Sequence, residues 1–178
     1  MQLGIIGLGR MGGNIARRLM LNGHTTVVYD RNEAFVKGLS GEGATGVADL
    51  QALVAGLQKP RTIWVMLPAG DPTENTIEEL SQLLEDGDVI IDGGNTFYKD
   101  DIRRAKALSE KGLHYVDVGT SGGVWGLERG YCMMIGGDAE SVQRLYPSVD
   151  SLAPGHGNLP RHTDLTPTDA RTRPAAHP

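Results

Sequence analysis

Three glycines near the start of the chain have a spacing that suits dinucleotide binding. Gly7, Gly9 and Gly12 form a G-x-G-x-x-G pattern after the apolar run at residues 3–6, where a helical pattern begins. In such a motif the first glycine permits a tight turn and the second lets a pyrophosphate approach the backbone. The third lets helix and strand pack closely. Unpaired N–H groups and the positive end of the helix dipole would then face the phosphates.

An acidic residue follows at about the offset of 20 positions that this motif requires. Asp30 ends the second apolar run, and its carboxylate can accept hydrogen bonds from both hydroxyls of an adenine ribose. The same charge would repel a 2′-phosphate, which favours NAD. Arg31 leaves NADP open as the less favoured cofactor, because a guanidinium can pair with a phosphate.

Three further loops could complete a ligand site. They span residues 66–70, 92–96 and 119–123, each directly after an apolar run, and are rich in glycine and small polar residues. Ligands of open α/β sheets bind beyond the carboxyl ends of the strands, where such loops meet. Asn95 and Ser121 are the polar side chains best suited to hydrogen bonding. On pattern alone, plain turns are as good an interpretation as a ligand site.

The elements that must position these residues alternate between strand and helix from residue 1 to about 146. Val- and Ile-rich runs at 3–6, 26–29, 62–67, 89–91, 115–118 and 132–135 lack polar alternation, which is typical of parallel strands buried on both faces. A weaker strand is expected at 44–47. The alternation predicts an α/β, Rossmann-type, doubly wound and mainly parallel sheet. Cys132 is expected to fill the core, and Thr96 to cap a helix whose apolar stripe consists of Ile102, Ala105 and Leu108.

Composition limits the class of protein. The chain has 178 residues, a net charge of −5 and one cysteine. No basic block suits nucleic acid or an acidic membrane, and no apolar run approaches the length of a transmembrane helix. A single cysteine fits a reducing cytoplasm, and the scattered histidines do not suggest a metal site. Residues 1–155 are expected to form the folded domain. The Thr- and Pro-rich segment 156–178 is expected to be disordered.

The combination of motifs resembles the decarboxylating 6-phosphogluconate dehydrogenases. The glycine motif is joined by Asp-Gly-Gly-Asn at 92–95, by the run from Asp117 to Gly126, and by Tyr-Cys-Met-Met-Ile-Gly-Gly at 131–137. The similarity extends from residue 1 to about 161. It is greatest to the shorter, NAD-preferring branch, in which a tryptophan, here Trp125, follows the Ser-Gly-Gly loop. This combination is far more specific than its first motif alone.

The resemblance implies a reaction and a set of contacts. The family oxidises 6-phosphogluconate at C3 by hydride transfer to the nicotinamide, and loss of CO2 then yields ribulose 5-phosphate without a metal. By motif, Asn95, Ser121, Gly122 and Gly123 would bind the substrate. The cofactor contacts would be Gly7, Leu8, Gly9, Arg10, Met11, Gly12, Asp30, Arg31, Leu67, Pro68, Ala69 and Asn95.

The resemblance also implies what this sequence lacks. The family's lysine base and glutamate acid lie on a helical domain, which also forms the dimer, and nothing here matches it. The sequence therefore predicts no catalytic residue in this chain, a truncated or frameshifted product, and a monomeric or aggregation-prone protein. Two alternatives stay open: a dehydrogenase of the 3-hydroxyisobutyrate type, and a non-catalytic dinucleotide-binding module.

Overall fold

The computed structural model of the chain describes residues 1–155, apart from the side chain of Val124. The tail predicted at 156–178 lies outside the described residues. The strands are β1 (Gln2–Ile6), β2 (Thr25–Tyr29), β3 (Thr45–Gly46), β4 (Thr62–Val65), β5 (Val89–Asp92), β6 (His114–Ser121) and β7 (Cys132–Gly136). The helices are α1 (Arg10–Leu21), α2 (Glu33–Gly41), α3 (Leu50–Ala55), α4 (Asp71–Leu83), α5 (Tyr98–Ser109), α6 (Gly126–Arg129) and α7 (Ala139–Leu152), with a 3-10 turn at Gly123–Trp125.

All of these strands form one sheet in the order β3-β2-β1-β4-β5-β6-β7. Every pair is parallel except β6 and β7. β1 lies between β2 and β4, so the chain builds the sheet outward from β1 on one side and then on the other. At such a reversal of strand order, a crevice opens at the carboxyl ends of the strands. The prediction of a Rossmann-type, mainly parallel sheet is confirmed.

Two hydrophobic clusters cover the two faces of the sheet. One contains Trp64 and side chains of α1 and α7, and the other packs α3, α4 and α5 against the opposite face. Because both faces are covered, β4 and β5 are buried along their whole length. This explains why their sequences show unbroken apolar runs instead of alternation.

The last strand corrects one prediction. β7 is antiparallel and lies at the edge of the sheet, with alternately exposed and half-buried residues. Cys132 is exposed and is not a core residue. A short apolar run has the same composition in a buried parallel strand and at an edge, so the sequence did not distinguish them.

Helix α5 corrects two further predictions, which concern its N-cap and the exposure of Ile102. Its N-cap is Phe97, and the Thr96 hydroxyl donates to the Asp101 carboxylate at 2.8 Å instead of capping the helix. Ile102 is 65% exposed, whereas Asp101 and Arg104 are buried. The predicted stripe is therefore confirmed at Leu108, which is buried, and at Ala105, which packs against the core, and is wrong at Ile102 alone. Among residues 1–155, no helix has the length and apolar character needed to cross a membrane.

Candidate functional site

The glycine turn joins β1 to α1 by close backbone contacts. Gly7 has a φ of +87°, and a Cβ built on it would lie 2.3 Å from the Met66 carbonyl oxygen. A Cβ on Gly12 would lie 1.9 Å from the Gly7 carbonyl oxygen. Around Gly9, by contrast, a Cβ would meet no atom within 4 Å. Gly7 and Gly12 therefore permit close packing within the fold. Gly9 borders open space, where a ligand could approach its backbone.

The start of α1 is suited to an anion. The first hydrogen bond of its ladder runs from the Gly13 N–H to the Gly9 carbonyl at 2.8 Å. The N–H groups of Arg10, Met11 and Gly12 are therefore not used by the helix. No acidic residue lies in the first turn. Together with the helix dipole, this arrangement favours a negatively charged group such as a pyrophosphate.

Asp30 lies beside this turn and is held by backbone groups. Its Oδ2 accepts the N–H of Leu8 at 2.6 Å, and its Oδ1 accepts the N–H of Asn32 at 2.7 Å. An ionised carboxylate has about four lone-pair sites, so each oxygen can still accept a hydroxyl of a ribose. The side chain of Leu8 is buried in the core. Leu8 therefore contributes to the site through its backbone.

Most of the predicted cofactor residues line one cavity of about 450 Å³ at the crevice. Its walls are formed by Gly7, Gly9, Arg10, Met11, Gly12, Asp30, Phe35, Met66, Leu67, Pro68, Gly93, Gly94, Asn95 and Thr120. The loops after β1, β4 and β5 thus meet where the topology brings the strand ends together.

A second cavity of about 210 Å³ shares Asp30 and Pro68 with the first. Arg31 lies on its wall with Pro72 and Thr76 of α4. The two cavities also have Gly7 and Leu67 in common, and their walls extend from Arg31 at the end of β2 to Asn95. Ala69 is exposed and lines neither of these two cavities.

The predicted substrate loop lies farther along β6. Ser121, Gly122 and Gly123 do not line the larger cavity, although Thr120 does. A Cβ on Gly122 would lie 2.7 Å from Cδ1 of Tyr131, so this glycine also makes room for a buried ring. The structure therefore brings the Asn95 loop and Thr120 to the glycine turn, and the Ser-Gly-Gly loop follows directly after Thr120.

Five lining residues were not among the predicted contacts: Phe35, Met66, Gly93, Gly94 and Thr120. Four of them, Met66, Gly93, Gly94 and Thr120, lie in the three loops that the sequence analysis identified as a possible ligand site. Phe35 lies on α2, a helix for which no pattern was identified, and no signal in the sequence pointed to it.

A buried polar network lies next to the Asn95 loop. The Tyr115 hydroxyl of β6 lies 2.8 Å from Oδ2 of Asp92 and 2.8 Å from Oδ1 of Asp101, so its one proton is shared between the two carboxylates. Burial, the charge of Asp92 and the hydrogen bonds with Asp101 and Asp92 raise the pKa of the Tyr115 phenol well above its ordinary value. Burial also raises the pKa of Asp117, and Asp101 and Asp92 add to the rise. The phenol thus remains a hydrogen-bond donor across the physiological range.

Comparisons with known proteins agree with this geometry. The family model described as the NAD binding domain of 6-phosphogluconate dehydrogenase matches residues 2–159. The NAD(+)-dependent, decarboxylating 6-phosphogluconate dehydrogenase of Bacillus subtilis is 40% identical over 162 residues, which is 89% of this chain and 35% of that protein. The chain spans about half or less of the length of the curated relatives it matches.

Solved structures show the same fold. Plasmodium falciparum 6-phosphogluconate dehydrogenase, described with its cofactor NADP+ and its substrate 6-phosphogluconate, superposes with a TM-score of 0.81 at 30% identity. The match covers 89% of this chain and 35% of that one. Mycobacterium tuberculosis 3-hydroxyisobutyrate dehydrogenase has a TM-score of 0.79 at 22% identity, covering 85% of this chain and 52% of that one. This second likeness concerns the fold alone.

Proposed function

Because this chain belongs to the 6-phosphogluconate dehydrogenase family through its NAD-binding domain, we propose that it binds the dinucleotide for oxidation of 6-phosphogluconate. The observation that carries the proposal is the hydrogen bond between Leu8 and Asp30 at the rim of the larger cavity. It joins the phosphate-binding turn to the ribose-binding carboxylate. The carboxylate also lines the cavity, so its free lone pairs are available to a ligand.

The residues present fit a dinucleotide. The open space around Gly9 and the N–H groups at the start of α1 would hold the pyrophosphate. Asp30 would accept the adenine-ribose hydroxyls, with the adenosine in the cavity between Arg31 and Pro72. Asn95 would lie at the nicotinamide end. When bound, the nicotinamide supplies the hydride acceptor for oxidation of the substrate hydroxyl.

We propose NAD as the preferred cofactor. The Asp30 carboxylate is fixed by two backbone N–H groups, so it cannot turn away to make space for a 2′-phosphate without losing both bonds. Arg31 is exposed beside it and is the residue that could still accommodate NADP. Relatives and structural neighbours include both NAD- and NADP-dependent enzymes, so the preference depends on these two side chains.

The substrate end of the site would be formed by Asn95, Ser121, Gly122 and Gly123. Asn95 would donate a hydrogen bond to a hydroxyl of the substrate, and the loop at 121–123 would hold the carboxylate of the substrate. No lysine or glutamate lies on the wall of the larger cavity as residues 1–155 form it. Proton transfer by a placed side chain contributes about 10²–10⁴-fold to a rate. We therefore expect this chain, as a separate protein, to bind cofactor with negligible turnover.

A combined binding and activity assay tests this proposal. The purified chain is titrated with NADH by calorimetry, then incubated with NAD+ and 6-phosphogluconate while absorbance at the nicotinamide band and ribulose 5-phosphate are followed. We expect saturable NADH binding and no product above the protein-free rate. NAD-dependent formation of ribulose 5-phosphate would contradict the expected lack of turnover. Oxidation of 3-hydroxyisobutyrate would support the alternative dehydrogenase class.

A further inference from the structure

The carboxylate of Asp92 holds both sides of the loop that carries Asn95. Asp92 ends β5 and is fully buried. Its Oδ1 accepts the N–H of Gly94 at 2.9 Å, and its Oδ2 accepts the hydroxyl of Thr96 at 3.3 Å. Asn95 is thus the one residue between two neighbours that are bonded to the same side chain. The direction of the Asn95 side chain depends on the position of this carboxylate.

The carboxylate is itself fixed from two other elements. Tyr115 of β6 donates to Oδ2 at 2.8 Å, and Nη1 of Arg104 of α5 lies 3.4 Å from the same oxygen. The Thr96 and Tyr115 hydroxyls also each lie 2.8 Å from Oδ1 of Asp101. A buried charge is costly unless it is paired and hydrogen-bonded. Asp92 therefore has few positions that keep all of its partners.

The same network reaches the opposite wall of the cavity. Nε of Arg104 donates to Glu74 of α4 at 2.8 Å. One residue earlier in α4, the Thr73 hydroxyl donates to the carbonyl of Pro68, also at 2.8 Å. The loop after β4 and the loop after β5 are thus linked through one arginine. Asp92 is bonded directly to the loop of Asn95, whereas its connection to Pro68, which also lines the cavity of Asp30, passes through Arg104 and α4. A change at Asp92 should therefore act first on the Asn95 loop.

We propose that Asp92 is a positioning residue, held by Tyr115 and Arg104, that orients Asn95 toward the nicotinamide end of the cavity. The inference rests on the proposed function for the identity of the ligand. It makes a specific statement: loss of the Asp92 bonds weakens binding of the nicotinamide half of the dinucleotide and spares the adenosine half. A residue that only stabilises the fold would not distinguish the two halves.

The test compares two ligands on the full chain. NADH carries both halves, whereas ADP-ribose lacks the nicotinamide, so the ratio of their dissociation constants reports the nicotinamide end. For Asp92→Asn we expect the Kd for NADH to rise about tenfold and the Kd for ADP-ribose to change by less than about twofold. Tyr115→Phe, which removes a single donor, should raise the Kd for NADH by about threefold.

Tyr131→Phe is the matched control. It also removes one buried phenol hydroxyl, but within residues 1–155 the Tyr131 hydroxyl has no hydrogen-bond partner. We expect its ratio of dissociation constants to equal that of the unmodified chain. If Asp92→Asn fails to fold, Tyr115→Phe measured against Tyr131→Phe carries the test.

Two other outcomes distinguish the positioning role of Asp92 from the proposed binding of a dinucleotide. An unchanged ratio in the folded Asp92 and Tyr115 variants would overturn the positioning role while leaving dinucleotide binding intact. An unmodified chain that binds neither ligand would contradict the proposed function itself, and the positioning role with it.

Discussion

The backbone N–H of Leu8 donates a 2.6 Å hydrogen bond to Oδ2 of Asp30. This contact joins the turn after β1 to the end of β2, so the position of the ribose-binding carboxylate is set by the same backbone that would contact the phosphates. Because this one hydrogen bond fixes the distance between the Asp30 carboxylate and the glycine turn, the two can contact the same dinucleotide. It also gives Asp30 two roles, a structural one and a selective one, which substitution can separate.

Substitution of Asp30 should change cofactor preference. Asp30→Asn keeps an acceptor for the Leu8 N–H but removes the charge that would repel a 2′-phosphate. We expect the ratio of Kd for NADPH to Kd for NADH to fall about tenfold, because a close charge repulsion worth roughly 1.4 kcal/mol is removed. Fluorescence titration with both reduced cofactors measures it. Tighter binding of NADPH than of NADH by the unmodified chain would contradict the assigned role.

The glycines of the turn should respond differently to one methyl group. Gly12→Ala would place a Cβ 1.9 Å from the Gly7 carbonyl oxygen, whereas Gly9→Ala meets no protein atom within 4 Å. Overpacking of this kind costs about 1–3 kcal/mol, so Gly12→Ala should lower Tm by several degrees. Gly9→Ala should keep its Tm and lose NADH affinity. Calorimetry on both variants checks this, and equal loss of Tm would disprove the assignment.

A buried ion pair at the far end of the sheet should control stability without affecting the ligand site. Asp88 is 1% exposed and accepts the Arg61 guanidinium at 2.9 Å and the Arg61 N–H at 2.6 Å. Asp88→Ala removes the near partner of the buried Arg61 and leaves only the exposed Glu85 at 3.9 Å, so the loss should approach the roughly 3–5 kcal/mol of a broken buried pair in the free energy of unfolding. Urea unfolding measures the loss.

The exposed pair of Glu33 and Lys37 is the control for that measurement. Glu33→Ala should change the free energy of unfolding by no more than about 0.5 kcal/mol. A similar loss in both variants would show that the burial of Asp88 and Arg61 has no special effect on stability.

Glu74 should make stability depend on acid pH. Hydrogen bonds from Arg103 and then Arg104 lower the pKa of Glu74 from 4.5 to about 2. A carboxyl whose pKa is depressed in the folded state contributes stability that is fully present above pH 4.5 and is lost as the pH falls toward 2. We expect the free energy of unfolding to decline across that window. Glu74→Gln should flatten the decline in urea titrations at a series of pH values; an unchanged slope would contradict the pairing.

Much of the fold could be predicted because its signals are local. A strand buried on both faces needs a continuous apolar run, and the turn that enters α1 needs glycine at positions where a Cβ has no room, as at Gly7 and Gly12. Each of these requirements is met by the residues of one short segment of the chain. The alternation of such segments with amphipathic helices indicates the sheet topology without knowledge of contacts.

What the sequence did not indicate depends on distant partners. The Asp92 network needs Tyr115 and Arg104, whose relation to the loop appears only when β5, β6 and α5 are packed. The burial of Asp101 and Arg104 on α5 follows from the same network, whereas the predicted apolar residue Leu108 of this helix is buried as expected. Edge position similarly decides the exposure of Cys132, and no property of its own segment reveals that it has a neighbour on one side alone.

The central claim, that this chain is a working NAD-binding domain, is tested most directly by titrating the purified full chain with NADH while nicotinamide fluorescence is followed. The account predicts saturable binding at one site per chain, tighter for NADH than for NADPH, and weakened by Gly9→Ala without a change in Tm. The absence of saturable NADH binding by the folded chain would contradict it.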